Sequence, residues 1–322
     1  MRQRLSVLTV GLAAGGLLLA QGKTWTLPRT PDGHPDLQGT WSTATLTPLE
    51  RPAELAGKQF FTKQEAAEYE KQFLQQANRD RRDGGADTDV GRAYNEFWFS
   101  RGSHLVASGR TSLIVDPADG KIPPLTAEAQ KRQAERAAHA SAHQFDGPEE
   151  RPLAERCILW PTGGPPMLPG GYNNNYQIVQ APGYVMILVE MIHDVRMIPT
   201  DGRPHLPPEV RQWMGDSRGR WEGNTLVVDT TNFTDKTNFR GASKDLHLIE
   251  RFTRVSPETI LYEFTVDDPA AFTRSWKAEI PMQKTDEPIL EYACNEGNYA
   301  MSGVLGGARA EEKKATAEKA PK

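Results

Sequence analysis

The stretch that decides the fold runs from Arg218 to Met282: RGRWEGNTLVVDTTNF (218–233), HLIERFTRVSPETILYEFTVDD (247–268) and SWKAEIPM (275–282). Each apolar run is short and is closed by Gly, Pro, Asn or Asp, the residues that turn an extended chain. Ile260, Tyr262, Phe264 and Val266 share one face, with Thr259, Glu263, Thr265 and Asp267 on the other. Trp276, Ala278, Ile280 and Met282 repeat the alternation. Successive side chains on a strand point to opposite sides, so this pattern marks strands with one buried and one wet face. It predicts an antiparallel meander forming a barrel or a sandwich.

The β pattern continues upstream. Tyr176–Gln180 and Tyr184–Ile192 flank an Ala-Pro-Gly turn, Val195–Pro199 follows a His-Asp corner, and Ser112–Val115 precedes the turn sequence DPADG. Two helices interrupt it. Thr62–Gln76 begins with Thr62 and Glu65 at capping-box spacing, and Thr126–Ala142 is a polar helix suited to the surface. Residues 78–90 read as a surface loop, and Leu206–Trp213 as a short helix behind Pro207-Pro208. The predicted organisation is an extended, poorly ordered lead-in over 23–38, one β domain over 39–307 with a helical insertion at 62–145, and a disordered tail at 308–322.

The chain of 322 residues opens with MRQRLSVLTVGLAAGGLLLAQG. Arg2 and Arg4, the apolar Leu5–Ala20 and the small-x-small Ala20-Gln21-Gly22 form a secretory signal peptide over 1–22, which is Gly-rich and short for a spanning helix. The mature protein is therefore expected in the periplasm or outside the cell. A formal net charge of −4 does not suit coating nucleic acid, and no later apolar run is long enough to cross a bilayer. Partners after signal cleavage are expected to be neither nucleic acid nor membrane. In an oxidising compartment Cys157 and Cys294 pair naturally as a disulfide, closing a loop of about 140 residues that contributes on the order of 5 kcal/mol. Two buried thiols are the alternative.

Two resemblances bear on the fold. Gly39-Thr40-Trp41 resembles the G-x-W signature of lipocalin-type barrels, whose Trp closes the barrel base. This implies a mainly β chain whose meander closes into a lipocalin-like barrel, with two peripheral helices in an N-terminal insertion. More broadly, PDGHPDLQGTW, WEGNTLVVDTTNF, ERFTRV and EYACNEGNY resemble a large family of exported bacterial proteins, from about Thr30 to Ala310. That resemblance implies export and no particular reaction. Where the family carries a His after the Cys of the last motif, this chain carries Asn295.

Candidate functional residues are ionisable groups on faces that ought to be apolar, since burial of a charge demands a partner or a purpose. Glu250 shares a face with Leu248 and Phe252, and a 256–258 turn would place it near Phe264. It reads as a ligand anchor or acid–base group, or as a buried Glu satisfied by Arg254 or Arg240. His193 follows Val185, Ile187, Val189 and Met191 on one face, and it reads as a proton shuttle, a metal or haem ligand, a hydrogen-bonding ligand contact, or a core His held by Asp194. Glu190, Asp194 and Arg196, on the opposite face, read as a solvated stripe. Asn173, Asn174 and Tyr176 offer amides and an aromatic face to a polar ligand, or simply a turn. Arg218 and Trp221 suit a planar anion, or pack a loop against the sheet. His139 and His143 have metal-binding spacing but no third ligand nearby.

No motif demands a cofactor or a metal. The leading expectation is an exported β-barrel that binds a small molecule at a partly apolar interior site. Glu250 and His193 would anchor the ligand. The first alternative is a cofactor-free hydrolase, lyase or isomerase with Glu250 and His193 as an acid–base pair. The second is a structural envelope protein with a filled core and an exposed apolar patch.

Overall fold

The computed structural model describes residues 25–319 apart from 93 and 238, without the side chains of His193 and Lys319. The predicted signal peptide lies outside the described residues. Ten strands form one antiparallel sheet: β1 (Gly39–Ser42), β2 (Ile114–Asp116), β3 (Asn175–Ala181), β4 (Tyr184–Val189), β5 (Val195–Pro199), β6 (Asp216–Glu222), β7 (Thr225–Thr231), β8 (His247–Ser256), β9 (Thr259–Asp267) and β10 (Trp276–Thr285). The sheet order is β5-β4-β3-β1-β10-β9-β8-β7-β6, with β2 added beside β10. The meander is thus β6 to β10, and β1 joins its far edge to the β3–β5 hairpins by pairing β10 on one side and β3 on the other.

Turn chemistry fixes the register. Gly223, at φ 61, opens the two-residue loop between Glu222 and Thr225, where a left-handed first residue matches the strand twist. Pro182-Gly183, with Gly183 at φ 76, closes β3 onto β4. The core-facing residues fall as the alternation requires. Leu248, Phe252, Ile260, Tyr262, Phe264, Val266, Trp276, Ala278, Ile280 and Met282 are all buried in one cluster with Trp41, Tyr176, Ile178 and Ile187.

The ladder does not close into a barrel. β5 and β6 are its two ends, and no backbone pairing joins them. The sheet nevertheless curls until they meet. A Cβ on Gly219 of β6 would lie 3.0 Å from the Ile198 Cγ2 and 2.8 Å from the Thr200 Cγ2, so only glycine fits beneath that end of β5.

One end of the curl is sealed by Trp41. Its indole Nε1 donates to the Leu37 carbonyl at 2.9 Å, and the Arg254 guanidinium lies 5.3 Å from its ring. Arg254 also donates to the Asp36 and Pro257 carbonyls. The lead-in expected to be poorly ordered is therefore a folded piece. It turns at Thr30–His34, pairs Arg29 with Pro35 and buries Leu37. The opposite end is covered by the Gly/Pro-rich segment 156–171, whose Met167 and Leu168 enter the core. The disulfide is present: Cys157 in that segment joins Cys294, with Cα atoms 5.7 Å apart.

Helices α1 (Lys63–Ala77) and α3 (Ala127–His143) lie where expected, and Thr62 with Glu65 makes the predicted capping box. Three expectations are corrected. The loop at 78–90 includes a short helix, α2 (Gly85–Gly91), and 206–213 is irregular rather than helical. The segment from Ala308 to Lys319, part of the tail expected to be disordered, continues α4 (Ala300–Lys319). The insertion also contributes β2, which pairs β10. No helix among the described residues is long and apolar enough to cross a membrane.

Candidate functional site

Glu250 lies at the centre of β8, opposite Phe264 of β9 as the turn spacing implies, and is 0% exposed. Its partner is neither Arg254 nor Arg240. Arg196 of β5, 3% exposed, reaches it from six places away in the sheet order. In a flat sheet that separation would be about 29 Å, at roughly 4.8 Å per strand. Here Arg196 Nη1 donates to Glu250 Oε1 at 3.0 Å and Nη2 donates to Oε2, so the pair spans the inside of the curl. The Tyr262 hydroxyl donates to Oε1 at 2.8 Å and accepts from the Met167 backbone N–H at 3.0 Å. Burial, with the Glu250 charge beside it, pushes the Tyr262 hydroxyl well above its ordinary range. For Arg196 burial works against the charge, yet Glu250 overcomes it and holds the guanidinium above its usual value. Arg196 Nε is buried without a hydrogen-bond partner.

The solvated stripe is thus corrected: Arg196 and Glu190 are both buried. The β5 neighbours of Arg196, Val195 and Met197, are the exposed pair, and they line a cleft of about 490 Å³ along the open seam between β5 and β6.

The other candidate residues are dispersed. Asn174 is buried and clamps its own loop, accepting from Gly170 N at 2.6 Å and donating to the Ser100 and Gly170 carbonyls. Tyr176 is a core residue whose hydroxyl donates to the Thr162 carbonyl at 3.1 Å. Asn173 takes a left-handed turn conformation at φ 53. Trp221 shares the inner face with its cross-strand partner Leu226, packs against the core and stacks on His34, with ring centroids 5.0 Å apart. Arg218 donates to the Pro204 carbonyl at 2.8 Å and to Asp216 Oδ1 at 2.6 Å, holding the 203–206 loop against the sheet. The His193 side chain lies outside the described residues. His139 and His143 contact Glu150 and Asp146 respectively, and no metal-binding group of three occurs among the described residues.

A polar network that the sequence did not suggest covers the outer face of β6 to β8. His205 sits 2.9 Å from Asp216 and 3.0 Å from Asp229, and His247 sits 2.9 Å from the other Asp229 oxygen. The hydrogen bond to Asp229 raises the pKa of His247, with Asp267 adding to the effect, and the same bond lowers that of Asp229. A raised His contributes stability fully below its unfolded pKa and loses it as pH rises through the folded one. A lowered Asp contributes above its unfolded pKa and loses it as pH falls through the folded one. The pair should therefore stabilise most between about pH 4 and 6.5. His247→Gln should lower Tm most in that window and least near pH 9, in thermal scans across pH. A difference that is the same at every pH would contradict the assignment.

At the end covered by 156–171, a cleft of about 430 Å³ opens between that segment and the β7–β8 connection. Leu153, Leu159, Trp160 and Phe239 supply apolar walls, and Lys236 and Arg240 supply charge. No carboxylate lines it, and neither cation has an ion-pair partner among the described residues. Arg240 is held at φ 53, a conformation that non-glycine residues rarely adopt and that marks functional turns disproportionately. No protein-family model, curated protein or solved structure matches the chain, so the functional reading rests on this geometry alone.

Proposed function

We propose that the protein is an exported binding protein for a small, partly apolar anion, taken up at the mouth of a lipocalin-like curled sheet. The observation that carries the reading is the mouth cleft, with apolar walls and, among the described residues, two cations without an ion-pair partner and no acid. Its volume is in the range of small-molecule sites. The site expected inside the sheet moves to its rim because Phe252, Tyr262, Phe264 and Trp276 occupy the interior around Glu250. Glu250 then serves the scaffold. Both oxygens of this fully buried carboxylate are already engaged, by a bidentate guanidinium and a tyrosine hydroxyl, so neither is open to a substrate, which weighs against the acid–base reading. Export, and a periplasmic or secreted location, follow from the leader and agree with the disulfide.

Calorimetric titration with octanoate and with octanol tests the proposal. Octanoate should bind with Kd below about 1 mM and octanol at least tenfold more weakly, because a charge-assisted contact contributes more than 1 kcal/mol. The double variant Lys236→Ala/Arg240→Ala, altered only at exposed positions, should erase the difference. Equal binding of acid and alcohol by the unaltered protein would sink the reading.

A further inference from the structure

A second cleft, of about 840 Å³, lies beside the disulfide, where the 94–100 and 172–175 segments meet the chain beyond β10. Its chemistry is the reverse of the mouth cleft. Tyr94, Phe97 and Trp98 line it and are 64%, 83% and 58% exposed, although such side chains are normally withdrawn from water. Glu190, Glu287 and Glu291 line it too, and no Lys or Arg among the described residues does. Glu190 decides the case. It is only 4% exposed and accepts from Asn175 N at 3.2 Å, Asn175 Nδ2 at 3.4 Å and Leu290 N at 3.4 Å. Among the described residues it has no cationic partner. A buried carboxylate is normally paired with a cation. This one instead borders a cleft whose other walls are π faces, which attract cations through the ring quadrupole. Nearby, Phe99 already carries Arg101 at 4.4 Å and Arg79 at 5.5 Å from its ring, so the same segment binds cations in this way within the chain itself.

We propose that this cleft binds a small organic cation, a quaternary or protonated amine, with its charge against Glu190 and its alkyl groups against Phe97 and Trp98. The site is separate from the mouth cleft and takes a ligand of opposite charge, so either can fail without the other.

The test uses the full oxidised protein and two probes matched in shape, choline and 3,3-dimethyl-1-butanol, with benzyltrimethylammonium as a larger cation. Titration followed by tryptophan fluorescence and calorimetry should show choline and benzyltrimethylammonium binding, and the uncharged alcohol at least about tenfold more weakly. Glu190→Gln should weaken choline binding about tenfold while leaving octanoate binding at the mouth cleft unchanged. Because Glu190 also holds backbone N–H groups, Phe97→Ala and Trp98→Ala provide variants at exposed positions that keep the fold. Each should weaken choline binding several-fold. Equal affinity for choline and its neutral counterpart, or full affinity in both aromatic variants, would overturn the proposal.

Discussion

Glu250→Ala is expected to lower the unfolding free energy by about 3–5 kcal/mol, the range for breaking a buried ion pair by removing one partner. The cost arises from what remains. Arg196, 3% exposed, would keep its charge inside the curl with no carboxylate to answer it, and the Tyr262 hydroxyl would lose its acceptor. Urea denaturation of the two proteins measures the difference, and a loss below about 1 kcal/mol would show that water or another group compensates. Glu250→Gln keeps the volume and should cost nearly as much, because the missing quantity is the charge. Replacing both partners, Arg196→Met with Glu250→Leu, should recover most of the loss, since an apolar pair of similar size needs no solvation. If stability is recovered, the use of an ion pair at this place must lie elsewhere. β5 is an end strand with a ladder on one side only, and the pair is its tether to β8 across the interior. The double variant should therefore be stable while the amides of β5 exchange faster than in the parent protein.

Glu250 was legible in the sequence because its strand alternates cleanly, so a carboxylate on the apolar face stands out. Its partner was not. In Val195-Arg196-Met197-Ile198 the alternation puts Arg196 with Ile198, but Val195 and Met197 read equally well as the inner face. Met197 is 51% exposed because β5 borders the open seam, where apolar residues line a cleft and not the core. Which face of an end strand points inward depends on the whole sheet. Here that means β1, from the other end of the chain, lying between β3 and β10. Local periodicity carries no record of such a pairing. The mouth cleft escaped for a related reason. Lys236 and Arg240 sit in a turn, Asp235-Lys236-Thr237, and in a strained residue after it, with no pattern to mark them. Asn174 and Tyr176 misled in the opposite direction, since polar groups that suit a ligand also suit the loop carbonyls they bind.

Reducing the Cys157–Cys294 bond is expected to destabilise the protein by up to about 5 kcal/mol on the chain-entropy account, because the separation of 137 residues is large. The enclosed loop holds every strand from β3 to β10, so the bond restricts the unfolded form of most of the sheet. The folded form should feel its loss unevenly. Cys294 lies in the irregular stretch between β10 and α4, which is held to the rest by few bonds, among them Leu290 N to Glu190 at 3.4 Å and Asn298 Nδ2 to the Glu155 carbonyl at 3.5 Å. Opening that stretch exposes little core, so in Cys157→Ala/Cys294→Ala it should open locally well below the global transition. Two measurements separate the effects. Denaturant unfolding should show the global loss, and limited proteolysis under native conditions should cut first between 286 and 299, leaving the sheet intact. A double variant with unchanged midpoint and unchanged proteolysis would mean that the contacts around Glu190 and Glu155 suffice to hold the segment, and that the bond only records the compartment in which it formed.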